Sequence, residues 1–320
     1  MKYLITGGAG FIGSHLVGAL LNKGVEVVVL DDFSTGSKKN LEESERNSSL
    51  KLVHGTILDK KLIEDLMSQV NGCFHMAAAV GVQKILSDPI GSIKTNIHGT
   101  ENVLDAAAES SIPVLLASTS EIYGKNSSGP LSEESDRLVG SPLLSRWSYS
   151  EAKAIDESYA HALYQHRSLK VKIVRYFNTV GPGQSPAYGM VIPRFFTAAL
   201  RGEPLIVHGD GSQRRIFCHV NDAVNATLRI WESNLGFGEA FNVGGEEEIT
   251  ILELAKRIIE ITASNSNIEF MDYETLKMEG FEDISRRIPN TSKLRSLTDW
   301  KPSYNIERIL HDVHESLARA

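Results

Sequence analysis

The chain has 320 residues, an apolar fraction of 42% and a net charge of −7, with a pI near 5.8. This length exceeds one typical domain, and the acidic balance argues against a broad nucleic-acid surface. The sequence has neither an apolar run of about 18 residues nor a signal-peptide pattern, so we expect a cytoplasmic protein that does not bind membranes.

The two cysteines, Cys73 and Cys218, lie far apart in the sequence and lack the spacing of metal ligands. We therefore expect no disulfide framework and no metal site. Cys73 lies in an apolar run, which predicts a buried and unreactive thiol.

The first half of the chain alternates short apolar runs with amphipathic segments. Strands are predicted at 3–5, 25–30, 50–54, 72–76, 114–117 and 171–177, and helices at 12–22, 61–69, 90–110 and 149–166. The strands are apolar on both faces, as in a parallel sheet that helices cover on each side. This alternation predicts an α/β fold with a Rossmann-type doubly wound parallel sheet.

The alternation stops after about residue 178, where a loop rich in Gly and Pro follows. Further helices are predicted at 193–201, 221–232 and 251–261, between shorter mixed elements. We therefore expect two domains. Residues 1–178 would form an NAD-binding domain, to which some later segments return, and 179–320 a smaller mixed lobe for the substrate.

Three glycines, Gly7, Gly10 and Gly13, follow the first predicted strand and open the first predicted helix. Gly7 permits a tight turn, Gly10 a close approach of a pyrophosphate, and Gly13 close packing of the helix. The helix N-terminus offers N–H groups to the phosphates. Asp31 ends the second strand, where a carboxylate binds ribose hydroxyls and repels the additional phosphate of NADP. The pattern predicts NAD.

A catalytic pair is predicted at Tyr149 and Lys153, which lie four residues apart on one helix and share a face. A cationic lysine beside a phenol favours the phenolate, and a phenolate is a suitable base for a sugar hydroxyl. Thr119 follows the strand at 114–117, whose carboxyl end faces the ligand crevice of such a sheet. We expect Thr119 to relay a hydrogen bond and Glu121 to handle a proton.

These motifs together resemble the extended short-chain dehydrogenases/reductases that epimerise, dehydrate or decarboxylate nucleotide sugars. The resemblance covers nearly the whole chain. The segments that carry it are 6–13, 31–36, 75–78, Asn96, 119–124, Tyr149 with Lys153, 175–182, 209–217, 241–244 and 299–302.

The resemblance implies site residues position by position. The implied NAD site comprises Gly7, Gly10, Phe11, Ile12, Gly13, Asp31, Asp32, Phe33, Ser34, Thr35, Gly36, Thr56, Ile57, Met76, Ala77, Ala78, Asn96, Tyr149, Lys153 and Tyr176. The implied catalytic residues are Thr119, Ser120, Glu121, Arg146, Tyr149 and Lys153, and the implied substrate-binding residues are Asn178, Val191, His208, Arg215 and Arg287.

The resemblance implies that the substrate is a nucleoside-diphosphate sugar, and that it is UDP-linked. The resemblance also implies a homodimer, in which the helices at 90–110 and 149–166 from each subunit form a four-helix bundle. One position departs from the family pattern. Thr56 stands where many relatives have an aspartate that contacts adenine, so this contact must differ.

Three reactions share the first step that the resemblance implies, oxidation of the sugar at C4. Ser120 stands where dTDP-glucose dehydratases have an acidic aspartate, which weighs against dehydration. The segments 146–149 and 279–289 resemble UDP-apiose/xylose synthase and the UDP-glucuronate decarboxylase of the aminoarabinose lipid pathway. The first of these has a cysteine at the position of Ser120, so we do not expect ring contraction.

Decarboxylation of UDP-glucuronate is therefore the favoured reaction. The 4-epimerisation of UDP-glucose or UDP-glucuronate is the main alternative, and 4,6-dehydration is the third. A nucleotide-sensing module without activity is disfavoured, because both Tyr149 and Lys153 are present.

Overall fold

The computed structural model of the protein describes residues 1–81, 87–185, 190–272 and 286–318. The strands are β1 (Lys2–Thr6), β2 (Glu26–Asp31), β3 (Leu50–His54), β4 (Gly72–His75), β5 (Val114–Thr119), β6 (Pro130–Leu131), β7 (Val171–Tyr176), β8 (Thr179–Val180), β9 (Leu205–His208), β10 (Arg214–Ile216), β11 (Cys218–His219), β12 (Ala240–Val243), β13 (Glu248–Thr250), β14 (Ile268–Met271) and β15 (Arg286–Pro289).

The α-helices are α1 (Phe11–Asn22), α2 (Glu42–Glu45), α3 (Lys60–Met67), α4 (Pro89–Glu109), α5 (Ser148–Arg167), α6 (Val191–Arg201), α7 (Val220–Glu232), α8 (Ile251–Thr262), α9 (Ser292–Thr298) and α10 (Ile306–Ala318). Short 3-10 helices span Lys38–Leu41, Ser120–Tyr123 and Ser145–Trp147. The predicted helices and strands lie within about two residues of these bounds.

A seven-stranded sheet forms the centre of the fold, in the order β12-β7-β5-β4-β1-β2-β3. All of its neighbouring strands are parallel. The strands are rich in buried Val, Leu and Ile, which suits a sheet that is covered on both faces. The predicted doubly wound sheet is therefore confirmed.

The two faces of this sheet support separate apolar cores. Leu16 and Val17 of α1 pack in one core, and Leu104 and Ala107 of α4 pack in the other. The direction in which strands are added changes between β1 and β4. Ligands of such folds bind at this point, beyond the carboxyl ends of the strands.

The later part of the chain builds a third core with Phe195, Phe196, Leu254 and Ile309 among its buried side chains. A mixed four-stranded sheet, in the order β13-β10-β15-β6, combines three strands of this later part with β6 of the first half. Strand β12 instead joins the central sheet beside β7. The chain thus returns to the first sheet after it has entered the second lobe.

No helix in the described ranges combines the length and apolar character needed to cross a membrane. Both cysteines are buried and free, and burial raises the pKa of each thiol. The described residues contain no group of three or more His, Cys, Asp or Glu side chains placed to hold a metal ion.

Candidate active site

A cavity of about 550 Å³ lies along the carboxyl ends of the central strands. It begins at the glycine-rich turn after β1 and ends among polar side chains after β5. Its lining includes most of the predicted site: Gly7, Gly10, Phe11, Ile12, Gly13, Asp31, Asp32, Ser34, Thr35, Thr56, Ile57, Met76, Ala77, Ala78, Thr119, Ser120, Glu121, Arg146, Tyr149, Tyr176, Asn178 and Arg287.

The other predicted residues are not part of this lining: Phe33, Gly36, Asn96, Lys153, Val191, His208 and Arg215. Val191 begins α6 and packs against the core of the second lobe. His208 ends β9. The predicted motif at 279–285 lies outside the described residues, and its continuation forms β15.

The glycine-rich turn has little room for side chains. Gly7 has a φ of +70°, and a Cβ atom there would lie 2.6 Å from the backbone nitrogen of Ala77. A Cβ atom on Gly13 would lie 2.2 Å from the Gly7 carbonyl oxygen. A Cβ atom on Gly10 would meet only that same oxygen, at 3.1 Å. Gly10 therefore faces the cavity, whereas Gly7 and Gly13 serve close packing of the backbone.

The N-terminus of α1 opens toward the cavity without a side-chain cap and without an acidic residue in its first turn. Uncapped N–H groups and the positive end of the helix dipole suit a pyrophosphate. This arrangement fits the phosphates of NAD.

Asp31 fixes the shape of the cavity beside the glycine-rich turn. Its carboxylate accepts hydrogen bonds from the backbone N–H groups of Ala9, at 2.9 Å, and Phe33, at 2.8 Å. Burial raises the pKa of Asp31, against the effect of these two bonds. Phe33 has a φ of +58°, and Gly36 packs against Asp31. Asp31 thus joins the glycine-rich turn to the loop after β2, a role that the sequence did not indicate.

Thr56 lies at the same end of the cavity. Its hydroxyl accepts a hydrogen bond from the backbone N–H of Leu58, at 3.3 Å. A hydroxyl both donates and accepts, so Thr56 remains suited to adenine although its charge differs from that of aspartate.

Asn96 and Tyr176 support the cavity wall near the middle of the sheet. The buried Asn96 amide accepts from the N–H of Ala79, at 2.7 Å, and donates to the Ala79 carbonyl, at 3.1 Å. Tyr176 shares a 2.6 Å hydrogen bond with the hydroxyl of Thr227. Asn96 therefore stabilises the loop after β4 through its backbone and does not line the cavity, whereas Tyr176 lines it.

Tyr149 lies in the cavity wall near the start of α5 and forms a hydrogen bond with Thr119. Burial raises the pKa of Tyr149, the charges of Glu121 and Asp156 raise it further, and the Thr119 bond opposes them. We expected Lys153 to lower this pKa. In the structure the Lys153 ammonium is buried and donates to Asp156 at 2.9 Å, so the carboxylate offsets its charge.

Glu121 lies between two arginines at the far end of the cavity. Its carboxylate is 2.6 Å from Arg287 Nη1 and 2.6 Å from Arg146 Nη2. Burial favours the neutral acid, but the charges of both arginines outweigh it and lower the pKa of Glu121 to about 2. Glu121 is therefore ionised at neutral pH. It can position groups, but it holds no proton to donate.

Each of the two guanidinium groups has one nitrogen donor that forms no hydrogen bond with the described residues. The Nε atoms of Arg146 and Arg287 are buried and have no hydrogen-bond partner among the described residues. Buried donors of this kind usually bond to protein, water or a ligand, and an anionic ligand group would satisfy both of these. Trp147 lies under Arg146, whose guanidinium is 5.3 Å from the ring centre, and this contact helps to fix its direction.

Two of the implied substrate-binding residues are neighbours. Strands β10 and β15 pair in parallel, with Arg215 directly beside Arg287. Asn178 lines the cavity, and its amide donates to the Ile216 carbonyl of β10 at 2.9 Å. The paired strands β10 and β15 therefore place two arginines side by side near the end of the cavity that Glu121 lines.

Some site residues were missed in the sequence. Asn40 lines the cavity and donates to the Ala9 carbonyl at 2.9 Å. It lies in a polar segment that gave no periodic signal. Asp156 contacts Lys153, and its spacing of three residues on one helix was a signal that could have revealed it.

Comparison with known proteins gives consistent results. The model of the NAD dependent epimerase/dehydratase family matches residues 3–244. The UDP-N-acetyl-alpha-D-glucosaminuronate decarboxylase of Bacillus cytotoxicus is 41% identical over 312 residues, which are 97% of this chain and 96% of that protein. UDP-glucuronic acid decarboxylase 1 of Danio rerio is 36% identical, over 99% of this chain and 73% of that protein.

A solved structure is also similar over its whole length. UDP-glucuronic acid 4-epimerase of Bacillus cereus, in complex with UDP-glucuronic acid and NAD, has a TM-score of 0.89 and 28% identity. The match covers 100% of this chain and 99% of that one.

Proposed function

This chain belongs to the NAD-dependent epimerase/dehydratase family, and on that basis we propose that it decarboxylates a UDP-linked hexuronate. The predictions of an NAD-dependent enzyme that modifies nucleotide sugars, and of NAD as the cofactor, are confirmed by this assignment. The choice of reaction is our proposal. The names of the Bacillus cytotoxicus and Danio rerio relatives support it.

One observation carries the proposal: Arg146 and Arg287 converge on Glu121 and each keeps a buried Nε donor without a partner among the described residues. Two guanidinium groups and one carboxylate leave a net charge of +1. A sugar carboxylate would complete the hydrogen bonds and balance this charge, because a guanidinium fork matches carboxylate geometry. A neutral hydroxymethyl group could accept a hydrogen bond but would leave the charge unbalanced.

The proposed first step takes place at C4 of the sugar. Bound NAD would supply a hydride acceptor for C4 and would regain its oxidised form at the end of the cycle, so the reaction would not consume it. Tyr149 would remove the proton of the C4 hydroxyl as a general base, and Thr119 would hold the same oxygen through its hydrogen bond to Tyr149. The remaining N–H donors of Lys153 would orient the nearby ribose.

The 4-keto group lies β to the carboxylate, so the bond between C5 and C6 can break with loss of carbon dioxide. The electron pair moves to the C4 oxygen, where the hydroxyl groups of Tyr149 and Thr119 would stabilise the negative charge. Arg146 and Arg287 would hold the carboxylate until it leaves. One proton from the solvent is then added at C5, and the net products from UDP-glucuronate are a UDP-pentose and carbon dioxide.

Dehydration is disfavoured by the same geometry. Loss of a hydroxyl from C6 needs an acid beside it, and the two residues in place are Ser120 and Glu121. A serine is a poor acid, and the pKa of Glu121 is held at about 2 by its arginine neighbours despite burial. Neither side chain supplies a proton at neutral pH.

The test is incubation of the purified protein with UDP-glucuronate, with UDP-N-acetylglucosaminuronate and, as a matched control without a carboxylate, with UDP-glucose. NMR would identify the products. We expect a UDP-pentose or its 2-acetamido counterpart from at least one hexuronate, and no reaction of UDP-glucose. A 4-epimer that retains its carboxylate would contradict decarboxylation and support the epimerase alternative.

We also propose that the protein acts as a cytoplasmic homodimer, with residues 1–178 holding NAD and 179–320 holding most of the nucleotide sugar. Helices α4 and α5 would form the bundle with their copies in the partner. Ile90, Ile93 and Ile155 are exposed on these helices, which supports the proposal. Sedimentation of the wild type and of an Ile93→Glu variant would test it, and a monomeric wild type would refute it.

A further inference from the structure

A buried chain of hydrogen bonds runs behind the catalytic pair and ends at Lys153. Asp156 Oδ2 accepts from Lys153 Nζ at 2.9 Å and from the Thr100 hydroxyl at 3.1 Å. The same hydroxyl is 3.1 Å from His75 Nε2, and His75 Nδ1 is 2.7 Å from the Thr6 hydroxyl. These five side chains are almost completely buried, and they join β1, β4, α4 and α5.

The chemistry of these groups fixes the direction of every bond. A carboxylate only accepts, so the single hydroxyl proton of Thr100 points to Asp156. Thr100 must then accept from His75 Nε2–H, which leaves Nδ1 to accept from Thr6. The Thr6 oxygen in turn accepts from the N–H of Ala77, at 3.3 Å. Each hydroxyl and N–H donor from Thr6 to Thr100 has an acceptor, and these bonds point toward the Asp156 carboxylate.

His75 is neutral within this chain. Burial and the charge of Lys153 lower the pKa of His75 to about 3. The charge that matters next to Lys153 is therefore that of Asp156. The Lys153 ammonium donates a hydrogen bond to one described residue, and that residue is Asp156.

Charged groups approach Tyr149 from several elements. Glu121 follows β5 and is paired with Arg146, which precedes α5, and with Arg287 of β15. On α5 itself the ammonium of Lys153 and the carboxylate of Asp156 form a neutral pair. Removing the carboxylate would leave an unbalanced positive charge one turn from Tyr149, and a positive charge favours the phenolate.

We propose that Asp156 is a positioning residue of the catalytic pair: it holds the Lys153 ammonium in place and sets the pH at which Tyr149 becomes a base. This inference rests on the proposed function, in which Tyr149 takes the proton of the sugar hydroxyl. The chain from Thr6 through His75 and Thr100 holds the Asp156 carboxylate in place. The nucleotide-binding turn after β1 is thereby tied to the catalytic helix.

The test compares the pH profiles of kcat/KM for the wild type, Asp156→Asn and Thr100→Val. Asparagine keeps the shape and one acceptor oxygen but removes the charge. We expect the ascending limb of the Asp156→Asn profile to move to lower pH by about one pH unit, while the dissociation constant of NAD stays within about twofold of the wild type. Thr100→Val removes a hydrogen bond without changing a charge, so its ascending limb should stay in place.

A limb that does not move in Asp156→Asn, or that moves equally in Thr100→Val, would overturn the inference, because a merely structural role affects stability and rate without a charge-specific shift. If Asp156→Asn does not fold, Asp156→Ser is the second neutral variant, since its smaller side chain leaves room for a water molecule beside Lys153. The same shift is expected for it.

A readout without substrate separates this inference from the proposed function. In the NAD-loaded protein, carbon NMR of labelled tyrosine would follow the ionisation of Tyr149, assigned with Tyr149→Phe. The Tyr149 pKa should fall in Asp156→Asn even if neither hexuronate is decarboxylated. Nitrogen NMR of His75 in the wild type should show the neutral Nε2–H tautomer, and the opposite tautomer would contradict the hydrogen-bonded chain.

Discussion

Replacement of Glu121 by glutamine tests the charge balance at the far end of the cavity. The pKa of Glu121 is lowered from an ordinary value of 4.5 to about 2 by Arg287 and Arg146, against the effect of burial. Each pKa unit corresponds to about 1.4 kcal/mol, so the ionised carboxylate stabilises the folded state by about 3 kcal/mol. Glutamine keeps the size of the side chain and removes this charge.

The stabilisation depends on pH in a defined direction. Because the folded pKa lies below the unfolded one, the contribution is complete above a pH of about 4.5 and is lost as the pH falls toward about 2. We therefore expect Glu121→Gln to lower the free energy of unfolding by about 3 kcal/mol at neutral pH. The difference from the wild type should shrink in acid.

Denaturant unfolding at a series of pH values measures this difference. The matched control is Glu151→Gln, since Glu151 pairs with Arg137 at 3.3 Å but both side chains are at least 36% exposed. An exposed pair of this kind contributes less than about 1 kcal/mol. The reasoning would be refuted if Glu121→Gln lowered the free energy of unfolding at neutral pH by no more than the control does. It would also be refuted if the loss of unfolding free energy stayed constant down to pH 3.

Three further predictions concern the catalytic base, the packing of the glycine-rich turn and the binding of the substrate. Tyr149→Phe should lower turnover at least about a hundredfold yet leave NAD bound. Product NMR measures the turnover, and the NAD content of the purified protein measures the binding. Unchanged turnover would exclude Tyr149 as the base. Gly13→Ala places a Cβ atom 2.2 Å from the Gly7 oxygen and should lower the free energy of unfolding by about 1–3 kcal/mol. The control Gly18→Ala, on the same helix, has nothing within 4 Å of its Cβ atom and should raise the free energy of unfolding by about 0.5–1 kcal/mol. Equal effects of the two substitutions would contradict the packing role of Gly13. Arg287→Lys should raise KM for the hexuronate about tenfold or more through loss of the fork with NAD affinity unchanged, and an unaltered KM would count against a carboxylate at this site.

The sheet and its helices were readable in the sequence because each element is long and strongly patterned. The buried runs at β2 and β7 and the amphipathic helices α1 and α5 lie close to their predicted bounds. Strand β12 has four residues, as β4 has, but it follows the point at which the alternation of strands and helices stops. Its place in the sheet depends on pairing with β7, which no local pattern encodes.

Site residues that belong to one local motif could be predicted from the sequence. Contacts between segments that lie far apart in the sequence could not. The cavity wall contains Tyr149, Thr119 and Glu121 as expected. The side-by-side position of Arg215 and Arg287 arises from the parallel pairing of β10 with β15, which joins segments far apart in the sequence. The raised pKa of Tyr149 likewise depends on burial and on Asp156, because an adjacent carboxylate offsets the charge of Lys153.

The most direct test of the central claim follows the carboxyl carbon of the substrate. UDP-glucuronate or UDP-N-acetylglucosaminuronate labelled at C6 would be incubated with the NAD-loaded protein, and labelled carbon dioxide would be measured beside the nucleotide-sugar product. The account predicts one labelled carbon dioxide for each UDP-pentose or 2-acetamido counterpart formed from at least one of the two substrates. Turnover that leaves the whole label in a UDP-hexuronate would contradict it.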